Sequence, residues 1–123
     1  MARILVIDDD EAIRNMLRRI LEHVGHDVDE AGDGDLGVRR CNERPADLVI
    51  TDIIMPNKEG IQTIQELRRD NPQIKIIAIS GGGRVGPGDY LSAAKLVGAD
   101  HTFSKPFNTQ DVLATVDRLT EAH

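Results

Sequence analysis

Four short apolar runs, each ending on a chemically reactive or charged group, set the limits on how this chain folds. Ile4-Leu5-Val6-Ile7 gives way to Asp8-Asp9-Asp10, and Leu48-Val49-Ile50-Thr51 ends on Asp52. Ile76-Ile77-Ala78-Ile79 ends on Ser80, and the shorter Thr102-Phe103-Ser104 runs into Lys105-Pro106. Runs without polar alternation suit strands covered on both faces, as in a parallel sheet. Helical patterns fill the intervals, the alternation expected of βαβ units. Strands are expected near residues 3–8, 27–31, 47–52, 74–80 and 101–104. The second, Asp27-Val28-Asp29-Glu30-Ala31, is too polar for a central position and reads as an edge.

Five helical stretches separate these strands. The first, from about Glu11 to Val24, puts Ile13, Leu17, Ile20, Leu21 and Val24 on one face and stops at Gly25. The second covers about Asp35 to Glu43. The third opens near Gly60, with Ile61, Ile64 and Leu67 inward, and ends at Asn71-Pro72. The fourth follows Asp89 and ends at Gly98. The fifth has Asn108 as its N-cap, then Val112, Leu113, Val116 and Leu119. At 123 residues, one domain spanning residues 1–123 is expected, long enough for a single core.

Composition excludes several classes. A net charge of −6 argues against a nucleic-acid surface. With one Tyr, two Phe and no Trp, a base-stacking platform is not expected either. The lone cysteine, Cys41, forbids an internal disulfide and suits a reducing cytoplasm. No apolar stretch has the length of a signal segment or a membrane span.

If the strands are parallel, their C-terminal ends meet at one edge of the sheet, where open α/β folds bind ligands. That edge gathers Asp8, Asp9, Asp10, Asp52, Ser80 and Lys105. Asp10 can cap the first helix, but capping accounts for one carboxylate of three. Adjacent carboxylates repel unless a cation compensates. Mg²⁺ accepts one or two carboxylates, keeps waters and binds phosphate oxygens. Asp52 is a competent nucleophile toward a phosphoryl donor. Pro106 permits a cis peptide that would fix the direction of Lys105, whose ammonium can pair with phosphoryl oxygens. The run Gly81-Gly82-Gly83-Arg84-Val85-Gly86-Pro87-Gly88 lacks the Gly-Lys-Ser/Thr ending of a nucleotide loop and reads as a mobile connection to the fourth helix. His23, His26, His101 and His123 have no metal-ligand spacing and read as surface or packing residues; Lys58 and Glu59 read as solvated loop charges, and Cys41 as a small buried apolar residue.

The set resembles the receiver domain of two-component response regulators along its whole length. The resemblance rests on Val6-Ile7-Asp8-Asp9-Asp10, on Asp47 through Met55-Pro56 with Gly60 following, on Ile79-Ser80-Gly81, and on Gly98-Ala99-Asp100 leading to Ser104-Lys105-Pro106-Phe107. It implies an α/β, flavodoxin-like fold: a doubly wound five-stranded parallel sheet in order 2-1-3-4-5 with five helices. It implies that a histidine kinase or phosphotransfer protein phosphorylates Asp52. Asp9 and Asp52 would bind Mg²⁺ directly, Asp8 mainly through a water, and the backbone carbonyl of Ile54 would be a further ligand. Ser80 would hydrogen-bond the phosphoryl group and Lys105 would pair with it. A downstream protein partner would read the fourth helix, last strand and fifth helix. The module would be a switch rather than an enzyme, catalysing only its own phosphorylation and dephosphorylation. One departure stands out. The family usually has Tyr or Phe three positions before its lysine, where this chain has Thr102. Phe103 lies one step along the strand, on the opposite face, and is expected in the core.

Two other readings compete with a stand-alone receiver. The chain could be the receiver part of a longer transcriptional regulator, whose DNA binding would then reside elsewhere. It could also be a haloacid-dehalogenase-like phosphohydrolase using Asp8, since Asp8-Asp9-Asp10 contains an Asp-x-Asp pair. The threonine expected two residues later is replaced by Ala12, and a cap domain has no room.

Overall fold

The computed structural model describes residues 2–53, 60–80 and 98–121. In chain order these form β1 (Arg3–Ile7), α1 (Glu11–His23), β2 (Asp27–Ala31), α2 (Gly34–Glu43), β3 (Leu48–Asp52), α3 (Gly60–Asp70), β4 (Lys75–Ser80), β5 (His101–Ser104) and α4 (Thr109–Thr120). One sheet runs in the order β2-β1-β3-β4-β5, with every pairing parallel. This is the expected doubly wound, flavodoxin-like order. Four of the five expected helices lie among the described residues. The helix expected after Asp89, the glycine-rich run from Gly81, Lys58, Glu59 and the Ile54 carbonyl lie outside them.

Side-chain alternation along the strands builds two cores from one sheet. Leu5, Ile7, Val49, Ile76 and Ala78 face α2 and α3, where they meet Val38, Cys41, Ile64 and Leu67. Ile4, Val6, Leu48, Ile50, Ile77 and Ile79 face α1 and α4, where they meet Leu17, Leu21, Val112 and Val116. β1, β3 and β4 are therefore apolar on both faces, which is why their sequence shows no alternation. Burying each such Leu or Ile side chain contributes about 1.5–3 kcal/mol, offsetting the entropy of ordering the chain.

Caps fix where the helices begin. The Asp10 carboxylate accepts the Ala12 N–H at 2.9 Å, and the Asn108 side chain accepts those of Gln110 and Asp111. α2 starts one residue before its expected position because the Asp33 carboxylate caps it, accepting the Leu36 N–H at 2.8 Å. After α1, Gly25 takes a φ of 98°, the left-handed turn that glycine adopts without a Cβ penalty.

β2 is the polar edge its composition suggested. Arg3 reaches Asp27 and Asp29 at 3.3 and 3.1 Å, while Arg14 and Arg18 hold Glu30. The Arg3–Asp27 and Arg18–Glu30 pairs each have a well-exposed partner and add little stability singly, but together the charges keep the edge polar and discourage strand addition. At the other edge, Phe103 is half-buried rather than fully interior. It packs against the α1–α4 core, 4.6 Å from the His101 ring and 6.4 Å from that of Phe107.

Gly60 opens α3 directly against the end of β3. A Cβ there would overlap the Ile53 Cα and lie 2.8 Å from the Asp52 carbonyl oxygen, backbone that has no room to move. A Cβ on Gly37 would strike the outer atoms of the Ile7 side chain, which can rotate. Gly60→Ala is expected to cost about 3 kcal/mol, the upper end for overpacking, and more than Gly37→Ala. Urea unfolding of the two variants checks this; a Gly60→Ala midpoint equal to the native one contradicts the close approach.

Candidate functional site

The site follows from strand order. β1 and β3 are neighbours, yet the chain leaves β1 toward one edge and reaches β3 toward the other, so the crevice between their C-terminal ends is the switch point of the fold. Asp8 lies one residue beyond β1 and Asp52 is the last residue of β3. Carboxylate oxygens of Asp8, Asp9 and Asp52 lie within 4.8 Å of one another. Asp8 and Asp52 are buried, 1% and 5% exposed, whereas Asp9 opens to solvent.

β5 delivers the counter-charge from the far side of the sheet. The Lys105 N–H donates to the Ser80 carbonyl at 2.7 Å, continuing the β4–β5 ladder one step past the strands. The Lys105-Pro106 peptide is cis. The Lys105 Nζ donates to Asp52 Oδ2 at 2.8 Å and to Asp8 Oδ2 at 3.2 Å. Burial pulls the Lys105 ammonium down, but hydrogen bonds and charge from Asp52 and Asp8 outweigh it, and its pKa stands above the ordinary value.

Asp8 is the under-compensated member. Its Oδ1 accepts the Asp10 N–H at 2.9 Å. Burial, the largest effect, nevertheless pushes its carboxyl up from 3.8 to about 6; the Asp10 hydrogen bond opposes this, the Asp52 charge adds to it, and Lys105 again opposes it. Among the described residues, one ammonium thus serves two buried carboxylates with a third beside them. Three oxygen donors converging on a crevice that still favours positive charge fit a hard divalent cation such as Mg²⁺.

Ser80, the last residue of β4, is fully buried, and its Oγ has no hydrogen-bond partner among the described residues. An orphaned buried hydroxyl costs about 1–3 kcal/mol and calls for an explanation. Asp10, counted with the acidic run, is occupied in capping α1. The described histidines lie elsewhere: His23 ends α1 exposed, His26 accepts the Ala2 N–H at 3.1 Å, and His101 begins β5 at the opposite end of that strand from Lys105. Cys41 is a free, buried core residue, as its position in α2 suggested.

Sequence reading missed one group beside the carboxylates. Arg14, on the first turns of α1, donates from Nη1 to the Asp8 carbonyl at 2.7 Å and from Nε to Glu30 at 3.2 Å. The signal was present in a basic residue four positions after Asp10 and an acidic one on the edge strand. Their meeting depends on how α1 lies against β2.

No helix among the described residues is long and apolar enough to cross a membrane. A sequence model of the response regulator receiver domain matches residues 4–117. The chain is 32% identical over 120 residues to the chemotaxis protein CheY of Halobacterium salinarum, covering 98% of each. It is 33% identical to the transcriptional regulator NtrC of Azospirillum brasilense, covering 99% of this chain but 25% of that protein. It spans about half the length of other transcriptional regulators that it matches. Among solved structures, a Burkholderia pseudomallei response regulator with a phosphorylated aspartic acid and a calcium ion superposes with a TM-score of 0.82 at 27% identity, covering 93% of this chain and 65% of that one. Matched over residues 4–117 and along 98% of its length to a relative above 30% identity, the chain belongs to the response regulator receiver domain family, the phosphoacceptor switches of two-component signalling.

Proposed function

We propose that Asp52 is the phosphoacceptor, supplied by a sensor histidine kinase or phosphotransfer protein, and that Asp8, Asp9 and Asp52 hold Mg²⁺. The observation that carries this reading is the Lys105 ammonium bridging Asp52 and Asp8 beside the three converging carboxylates. Bound there, Mg²⁺ would neutralise charge on the incoming phosphoryl oxygens. An Asp52 oxygen forms the new P–O bond as the donor's bond to phosphorus breaks, the electron pair leaving with the donor. Lys105 Nζ, already 2.8 Å from Asp52, passes to a phosphoryl oxygen. The same group gives the orphaned Ser80 Oγ an acceptor. Asp8 serves mainly through a water, keeping the crevice anionic toward the cation. The family's usual ligand at the Ile54 carbonyl lies outside the described residues.

The output is a change of surface read by a downstream protein. β5 and α4 flank the site through Lys105 and belong to that surface, together with the helix expected after Asp89. Relatives of both architectures exist, whole-length in CheY and one quarter of the protein in NtrC. The phosphoacceptor reading holds for either.

Intact mass after incubation with Mg²⁺ and acetyl phosphate tests the chemistry. The native chain is expected to gain one phosphoryl group, the gain to vanish in Asp52→Asn, and to vanish again when EDTA replaces Mg²⁺. An adduct that survives Asp52→Asn but not Asp8→Asn would instead assign the chemistry to Asp8 and a hydrolase.

The raised Asp8 pKa yields a separate expectation with a definite sign. A carboxyl whose folded pKa is near 6 against 3.8 in its ordinary state binds more protons folded than unfolded between those values. Stability of the metal-free protein therefore falls as pH rises from about 4 to about 6, by up to about 3 kcal/mol from this group. Asp8→Asn removes that slope and is expected to stabilise the metal-free protein at pH 7.5. Urea unfolding in EDTA across this range checks both; a native protein that gains stability through the window as steeply as Asp8→Asn does would refute the assignment.

A further inference from the structure

The Asp8–Asp9 peptide is pinned from both ends of Asp8. The Asp8 N–H donates to the Ala31 carbonyl at the end of β2, 3.1 Å away. The Asp8 carbonyl, which is bonded to the Asp9 nitrogen, accepts Arg14 Nη1 at 2.7 Å. Arg14 is itself held: its Nε donates to Glu30 Oε1 at 3.2 Å, and Glu30 Oε2 takes Arg18 Nη1 at 2.8 Å. Arg14 and Glu30 are mostly covered, with side chains 19% and 21% exposed. A continuous tether thus runs from the edge strand through Glu30 and Arg14 to the peptide plane between the two acidic residues.

That plane matters because of Asp9. Among the described residues, the Asp9 carboxylate has no hydrogen bond of its own, yet it points into the cluster with Asp8 and Asp52. Its aim is set by its backbone. We infer that Arg14, anchored by Glu30, is a positioning residue for the cation site, fixing the Asp8–Asp9 peptide so that the exposed Asp9 carboxylate converges with the two buried ones. The inference rests on the metal-site reading above and goes beyond it by assigning a group that touches neither cation nor phosphoryl.

Charge and position predict opposite results here. Arg14 is cationic, so on charge alone its removal relieves repulsion and tightens Mg²⁺ binding. If Arg14 acts by position, its removal weakens binding, as loss of groups that orient metal ligands does. Calorimetric titration of Mg²⁺ into native protein and Arg14→Met is expected to show affinity about tenfold weaker in the variant, with Arg14→Lys between them. Arg18→Met loses the same charge from the same Glu30 without touching Asp8, and is expected to stay within about twofold of native. With acetyl phosphate, the half-saturating Mg²⁺ concentration in Arg14→Met should rise by the factor seen in calorimetry, while the rate at saturating Mg²⁺ stays near native. A merely structural arginine would lower metal-free urea stability without that split.

Mg²⁺ affinity in Arg14→Met equal to or tighter than native overturns the inference. If Arg14→Met does not fold, Arg14→Lys decides in the same way, with unchanged affinity overturning it. Failure of the native chain to bind Mg²⁺ and to form an Asp52 adduct would overturn the site reading and this inference with it. Native binding and phosphorylation with an indifferent Arg14 would remove the inference alone.

Discussion

Among the described residues, one ammonium shared between two buried carboxylates is the interaction on which the site depends. Removing charges from water is costly, and for Asp8 the attraction to Lys105 at 3.2 Å offsets that cost only in part. The remainder appears as the raised pKa of Asp8. Around Asp8 the crevice is therefore left favouring positive charge. β1, β3 and β4 are apolar on both faces and hold the strand ends in register around it. The stability of the cores and the geometry of the edge are in this sense one arrangement: the apolar layers supply free energy that holds a charged cluster together.

The same arrangement explains why the reactive groups come from distant parts of the chain. Asp8 and Lys105 are 97 residues apart, Asp52 and Lys105 53. Parallel strands with helical returns place every C-terminal end on one side, so residues that follow apolar runs in sequence become neighbours in space. Arg68 performs a comparable task at the opposite end of the sheet. From α3 it donates to the carbonyls of Ile74 and Gly98 and pairs with Asp100, whose carboxylate also accepts the Ile76 N–H. It ties the entry of β4 to the entry of β5, and so sets the register that carries Lys105 to the site.

Much of this was legible in the residues. The four apolar runs located β1, β3, β4 and β5, and the polar β2 declared itself an edge. Asp10, Gly25 and Asn108 announced helix boundaries because caps are local chemistry with local signatures. Sheet order came from resemblance, since periodicity alone leaves strand order open; the proposed roles around Asp52 drew on the residue types at the strand ends as well as on the resemblance. What escaped were contacts between side chains of different elements. Asp33 as the cap of α2 was local but hidden between Gly32 and Gly34. The Arg14–Glu30 tether and the Arg68 staple depend on the packing of α1 on β2 and of α3 on the sheet, which no spacing encodes. Phe103 was placed on the correct face but lies less deeply than its size suggested, because β5 is the outer strand and covers only part of it.

The central claim is that these strand ends form a phosphoacceptor centred on Asp52. Its most direct test is chemical trapping. Protein incubated with Mg²⁺ and acetyl phosphate is reduced with borohydride, which converts an acyl phosphate to the corresponding alcohol, and the peptides containing residues 4–10 and 48–52 are both sequenced by tandem mass spectrometry. The account predicts homoserine in place of Asp52 and unmodified aspartate at Asp8 and Asp9. Homoserine in place of Asp8, or phosphoryl uptake with no aspartate reduced, would contradict it.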